Sequence, residues 1–117
     1  MFAEEIRDFC LNKKQVEESF PFDNDTLVFK VGGKIFLLLS INSKPIQFNA
    51  KCDPDKAIEL REKYSFIIPG YHMNKKHWNT LICDGAASRK LVEECINQSY
   101  DLIVSSLPKK IRQQLSL

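Results

Sequence analysis

The chain has 117 residues, the size of one domain. Apolar residues make up 44% and charged ones 27%, ordinary globular usage that argues against disorder and low-complexity fibres. The 17 Lys and Arg against 15 Asp and Glu leave a net charge of +2, which excludes a strongly basic, histone-like protein.

The small net charge hides an asymmetry. Residues 1–25 carry seven acids and three bases, whereas residues 26–117 carry 14 bases and eight acids. The longest apolar run, Ile35 to Leu39, falls far short of the roughly 20 residues that span a bilayer. Glu4 and Glu5 stand where a signal peptide needs bases, so a cytoplasmic protein with no membrane partner is expected. A core of this size needs no staples, and Cys10, Cys52, Cys83 and Cys95 are expected as free, mostly buried thiols.

In chain order, the first predicted element is a helix from about Ala3 to Lys14, with Phe2, Ile6, Phe9 and Cys10 on one stripe. Pro21 and Asp23-Asn24-Asp25 break the chain. Three strands follow as an antiparallel meander: Thr26–Val31, Lys34–Ile41 and Ile46–Cys52. Gly32-Gly33 joins the first two as a tight hairpin turn, and the middle strand is apolar on nearly both faces. Asp53 and Pro54 supply an N-cap and a first helical residue for a second helix, with Ala57, Leu60 and Tyr64 on its buried stripe. Phe66-Ile67-Ile68 is a short apolar piece. Trp78 to Cys83 alternates as a strand, and a long final helix runs from about Ser88 to Leu107, ended by Pro108. No repeat or linker divides residues 1–117, so a single domain is expected.

One segment differs chemically from the rest. Residues 69–80 hold Tyr71, His72, Asn74, Lys75, Lys76, His77 and Trp78 with no acid at all. Lysines neutralise phosphates, Asn and His hydrogen-bond to phosphates or base edges, and aromatic rings stack on bases. The same residues also fit a surface loop whose Tyr71 and Trp78 close the core while its lysines stay solvated. Other chemistries have weaker patterns. His72 and His77 lie five residues apart, but no CxxC, HxxH or HExxH accompanies them. A dyad of Cys83 with either histidine lacks any local signature. Val31-Gly32-Gly33-Lys34 lacks the spacing of a phosphate-binding loop. The terminal Pro108-Lys109-Lys110-Ile111-Arg112 adds three bases.

Cys10-x-x-Lys13-x-x-Val16-Glu17-Glu18-Ser19-Phe20-Pro21-Phe22 and Val28-Phe29-Lys30-Val31-x-Gly33-Lys34-Ile35-Phe36 resemble blocks of the MmcQ/YjbR-like bacterial proteins. Lys51-Cys52-Asp53-Pro54, the whole of 69–80 and Leu107-Pro108-Lys109-Lys110 follow in that family's order. The match departs around Ala86-Ala87-Ser88, where the family often has a Pro before the last helix. The resemblance implies an α+β domain of the frataxin-like (CyaY-like) fold group in which helices pack on an antiparallel sheet. With the elements read above, the expected architecture is a sheet of about five strands carrying an N-terminal, a middle and a long C-terminal helix. The resemblance also implies a DNA-binding role with a double-wing arrangement.

These readings converge on an expectation of a nucleic-acid-binding protein, DNA first, without catalysis or cofactor, as a monomer or weak homodimer. The expected contacts are Lys51, Tyr71, His72, Asn74, Lys75, Lys76, His77 and Trp78, with Lys109, Lys110 and Arg112 as outer bases. The alternative is a metal-handling or protein-interaction module using the acidic N-terminal region (Glu4, Glu5, Asp8, Glu17, Glu18).

Overall fold

A computed structural model describes residues 1–117. In order, it contains α1 (Ala3–Leu11), β1 (Val16–Ser19), β2 (Thr26–Val31), β3 (Lys34–Ser40), β4 (Ile46–Lys51) and α2 (Pro54–Lys63). Then come β5 (Ile67–Pro69), β6 (Trp78–Cys83), α3 (Arg89–Ser106) and α4 (Lys109–Gln114). The strands form one antiparallel sheet of six in the order β1-β2-β3-β4-β6-β5. The α+β class and the three helices of the sequence reading hold. The sheet has six strands where about five were expected, and a short fourth helix follows Pro108.

The meander forms because each strand alternates. Leu27, Phe29 and Val31, Leu37 and Leu39, Phe48 and Ala50, and Leu81 and Cys83 all face one side and join one core. Ile6 and Cys10 of α1, Ala57 and Leu60 of α2, and Val92, Cys95, Ile96 and Ile103 of α3 complete it. All three helices therefore cover the same face. The other face presents Val28, Leu38, Asn49, Thr80 and Ile68 in one row across β2, β3, β4, β6 and β5.

Two local features set the frame. Gly32 and Gly33 have φ of +59° and +81°, the left-handed values a two-residue hairpin needs, and Val31 pairs with Lys34 across them. A Cβ on Gly32 would also lie 2.6 Å from Leu107 Cδ1, because the end of α3 closes onto this turn. The second feature is a bulge. Phe29 pairs with Leu37 but Lys30 pairs with Ile35, so Phe36 is an extra residue in β3. Its ring turns toward α3 and meets Tyr100 edge-on at 5.4 Å. Ser99, fully buried on α3, fills the opened ladder: its hydroxyl donates to the Phe36 carbonyl and accepts the Lys51 N–H at 2.8 Å.

Helix α1 stops at Leu11, short of the expected Lys14. Gln15 then takes a positive φ of 60°, turning the chain into β1. Lys13 leaves the helix and donates to the Asn97 side-chain Oδ1, with its ammonium over the Phe9 and Tyr100 rings. At α2 the local signals act as read: the Asp53 side chain accepts the Lys56 N–H and Pro54 occupies the first turn. Ser88 likewise caps α3 by accepting the Leu91 N–H at 3.1 Å.

Candidate nucleic-acid interface

The segment joining β5 to β6, Gly70 to His77, is a hairpin loop with a fixed shape. It begins at Gly70, whose N–H donates to the Trp78 carbonyl at 2.9 Å. Any Cβ there would lie 2.8 Å from Trp78 Cβ and 2.9 Å from that carbonyl oxygen, so only glycine lets the strands close. At the far side Asn74 Oδ1 accepts the N–H groups of Lys76 (2.9 Å) and His77 (3.3 Å), an Asx turn. Arg61 of α2 donates to the Lys75 carbonyl at 2.8 Å, and the Lys75 ammonium donates to the Gly70 carbonyl at 3.3 Å.

A three-residue ring of hydrogen bonds presses the loop onto the sheet. The Tyr71 N–H donates to Thr80 Oγ1 at 3.0 Å, the Thr80 hydroxyl donates to Asn49 Oδ1, and Asn49 Nδ2 donates to the Tyr71 carbonyl at 3.2 Å. Each group is used once as donor and acceptor, so both polar groups of the Tyr71 backbone are satisfied by side chains of β4 and β6. Beyond it His72 takes φ +60° and its ring lies against that of Tyr71, with centroids 4.0 Å apart.

The expected contact residues thus divide. Tyr71, His72, Asn74, Lys75 and Lys76 are exposed on the loop. Asn74 and Lys75 direct polar atoms inward to hold its shape, which leaves Lys76 as the outward ammonium and Tyr71 and His72 as the outward rings. Trp78 and Lys51 face each other in the β4–β6 ladder, both half-buried, with Trp78 backing Gly70. His77 is half-buried, and its carbonyl accepts the Cys52 N–H at 2.8 Å. Asn49, Thr80 and Arg61 organise the loop without having stood out in the sequence. Asn49 and Thr80 sit on the polar positions of alternating strands, where any residue would look merely solvent-facing.

Antiparallel pairing gathers the bases. β4 ends, β6 and β3 begin, and α3 and α4 meet at the same end of the sheet, which therefore carries Lys34, Lys51, Lys75, Lys76, Lys109 and Lys110. Asp53 and Asp55, at the start of α2, are the acids that follow Lys51 there. The opposite end, where α1 and α3 begin and the β1–β2 and β3–β4 loops turn, holds Glu4, Glu5, Asp23, Asp25 and Asp84 alongside Lys44, Arg89 and Lys90. Several of the N-terminal acids already have partners. Glu18 takes a bidentate Arg7 guanidinium, and Glu5 accepts the Phe2 N–H and pairs with Arg89. The Phe2 hydrogen bond first, and Arg89 second, hold the Glu5 carboxyl below its usual range.

The cysteines behave as packing residues. Burial pushes the Cys10 and Cys95 thiols up to about 12, and Cys52 and Cys83 are also raised by burial. A thiol held protonated is a poor nucleophile. Cys83 pairs with Ile46 at one end of β6, whereas His77 precedes Trp78 at the other, about 20 Å away at the rise of a strand. His72 lies on the helix-free side, so the dyad weighed from sequence does not assemble.

A family model described as YjbR matches residues 11–102. The chain belongs to the YjbR family. This YjbR-family chain is 41% identical over 101 residues to YbdF of Escherichia coli O157:H7, covering 86% of the chain and 82% of YbdF. It is 28% identical to YjbR of Escherichia coli K12 over 116 residues, 98% of each. The crystal structure of Deinococcus radiodurans protein DR2400 superposes with a TM-score of 0.94 at 37% identity, over 99% of this chain and 88% of that one. A crystal structure from Pseudomonas syringae gives a TM-score of 0.76 at 27% identity, over 88% and 99%.

Proposed function

We propose that the chain is a non-catalytic nucleic-acid-binding module, with DNA as the polymer, that meets phosphates at the basic end of its sheet. The observation that carries this reading is the convergence of Lys34, Lys51, Lys75, Lys76, Lys109 and Lys110 at one end, whereas the other mixes Glu4, Glu5, Asp23, Asp25 and Asp84 with Lys44, Arg89 and Lys90. Two hairpins project at that end, the Gly32-Gly33 turn and the 70–77 loop, in keeping with a double-wing arrangement. A local cluster of cations attracts a polyanion even when net charge is small. Lys76 and Lys51 contact phosphate, while Tyr71 and His72 offer rings to bases.

The test is a titration of a short DNA against salt. Binding weakens with rising salt at a log–log slope of about −0.9 per phosphate neutralised, and Lys76→Ala reduces the slope by about 1. No binding of single- or double-stranded DNA at low salt overturns the proposal.

A further inference from the structure

The face of the sheet without helices is not flat. A groove of about 540 Å³ runs along it between two loops that reach in from opposite edges of the sheet. Phe22 enters from the β1–β2 side and Tyr71 from the β5–β6 side, with Ile35, Leu38 and Gln47 beneath. The volume lies within the 300–1,000 Å³ typical of small-ligand sites. Both rings are largely uncovered, Phe22 at 66% and Tyr71 at 62%, although each belongs to a segment pinned by hydrogen bonds. Asp23 Oδ1 accepts the N–H groups of Asp25 (2.8 Å) and Thr26 (2.7 Å), fixing the turn beside Phe22. The Asn49–Thr80 ring of hydrogen bonds fixes Tyr71. Two preformed aromatic walls over a largely apolar floor that also carries the Gln47 and Asn49 amides suit a flat ring with hydrogen-bonding edges.

We infer that this groove receives an unpaired nucleobase of a bound strand, stacked by Phe22 and Tyr71 and read at its edge by the Gln47 amide. The inference rests on the nucleic-acid reading above and extends it to single-stranded or locally opened segments. Charge complementarity selects this occupant. Asp23 on the groove rim disfavours phosphate inside, while the loop that supplies Tyr71 carries Lys75 and Lys76 four and five residues further on, at the basic end. A nucleotide therefore finds a neutral slot for its base and cations for its backbone on one continuous surface. In an intact duplex the base is stacked and paired and does not reach the floor.

The experiment compares a 12-nucleotide single strand with the duplex of the same sequence, and separately titrates nucleoside 5′-monophosphates while amide NMR shifts are followed. The single strand binds more tightly than the duplex by roughly 5- to 150-fold, the range for stacking one base on aromatic side chains. Phe22→Ala with Tyr71→Ala abolishes that preference, while the salt slope set by the lysines stays as it was. Both side chains are exposed, so the variant keeps its thermal midpoint within a few degrees. Equal binding of strand and duplex by the unaltered protein, or a preference that survives the double substitution, overturns the inference while leaving the charged interface standing. If neither polymer binds, the interface reading falls, and the monophosphates judge the groove alone. Shifts at Leu38, Gln47 and Asn49 then uphold it as a base site, and their absence overturns it.

Discussion

On the helix-covered face of the sheet, Phe29, Leu37, Leu39, Phe48 and Leu81 are all but fully buried, and three helices close over them. On the opposite face no helix intervenes. There the row through Leu38, Asn49 and Thr80 is roofed by two loops, and the roof on one side hangs from hydrogen bonds to Asn49 and Thr80. The first face is held by apolar area, which is non-directional and tolerant of small shifts. The second is held by directional bonds, which fix the position of a loop to within a few tenths of an ångström but contribute only about 1 kcal/mol each. Stability therefore resides on one face, and a preformed, exposed loop on the other.

That contrast can be broken most strongly at Phe48. Phe48→Ala opens a cavity in the helix-covered core and lowers stability by about 3–5 kcal/mol, read from chemical denaturation. A loss below about 1 kcal/mol would show that the helices do not depend on this face. Ser99→Ala comes next. It strands the Lys51 N–H and the Phe36 carbonyl in a dry gap, with an expected loss of about 1–3 kcal/mol and faster hydrogen exchange at Lys51.

Thr80→Val keeps the shape of the side chain and removes the hydroxyl at the centre of the Tyr71 ring of bonds. Stability falls by about 1–2 kcal/mol. The sharper readout is local: amide exchange at Tyr71 accelerates while that of Phe48 is little changed. Uniform acceleration would mean that the two faces are not separable.

The smallest effect is at Glu5, whose carboxyl titrates below its ordinary value of 4.5 in the folded chain. A depressed carboxyl stabilises the fold above its unfolded pKa, and that contribution disappears as pH falls through the folded value. Thermal midpoints of the native chain and of Glu5→Gln therefore differ at neutral pH and converge below pH 4.5. A constant difference down to low pH would remove the Phe2–Glu5–Arg89 contacts as its origin.

Which parts of this were legible in the sequence follows the same division. Asp53-Pro54, Ser88 and Gly32-Gly33 signal through interactions within a few residues, and the structure uses each as expected. Val16–Ser19 gave no strand signal. Its two glutamates mask the alternation, and Glu18, opposite Phe29, points to the helix-covered side, where Arg7 of α1 pairs with it. The charged loop stood out by composition, yet its shape depends on Asn49, Thr80 and Arg61, which bond to loop residues 22, 9 and 14 positions away and carry no pattern of their own. The inward use of Asn74 and Lys75 is likewise a matter of three-dimensional closure, which residue type alone does not reveal.

The Ser99 hydroxyl seated in the gap beside Phe36 also limits how the gene can change length. Each residue inserted in a helix turns everything after it by about 100°. One extra residue between Arg89 and Ser99 would swing the hydroxyl out of the split ladder and move Ile103 off the core together with it. The same insertion after Leu107 meets no such lock, since α4 has no buried residue. Length variation among relatives should therefore accumulate beyond Pro108 and be purged from the first half of α3.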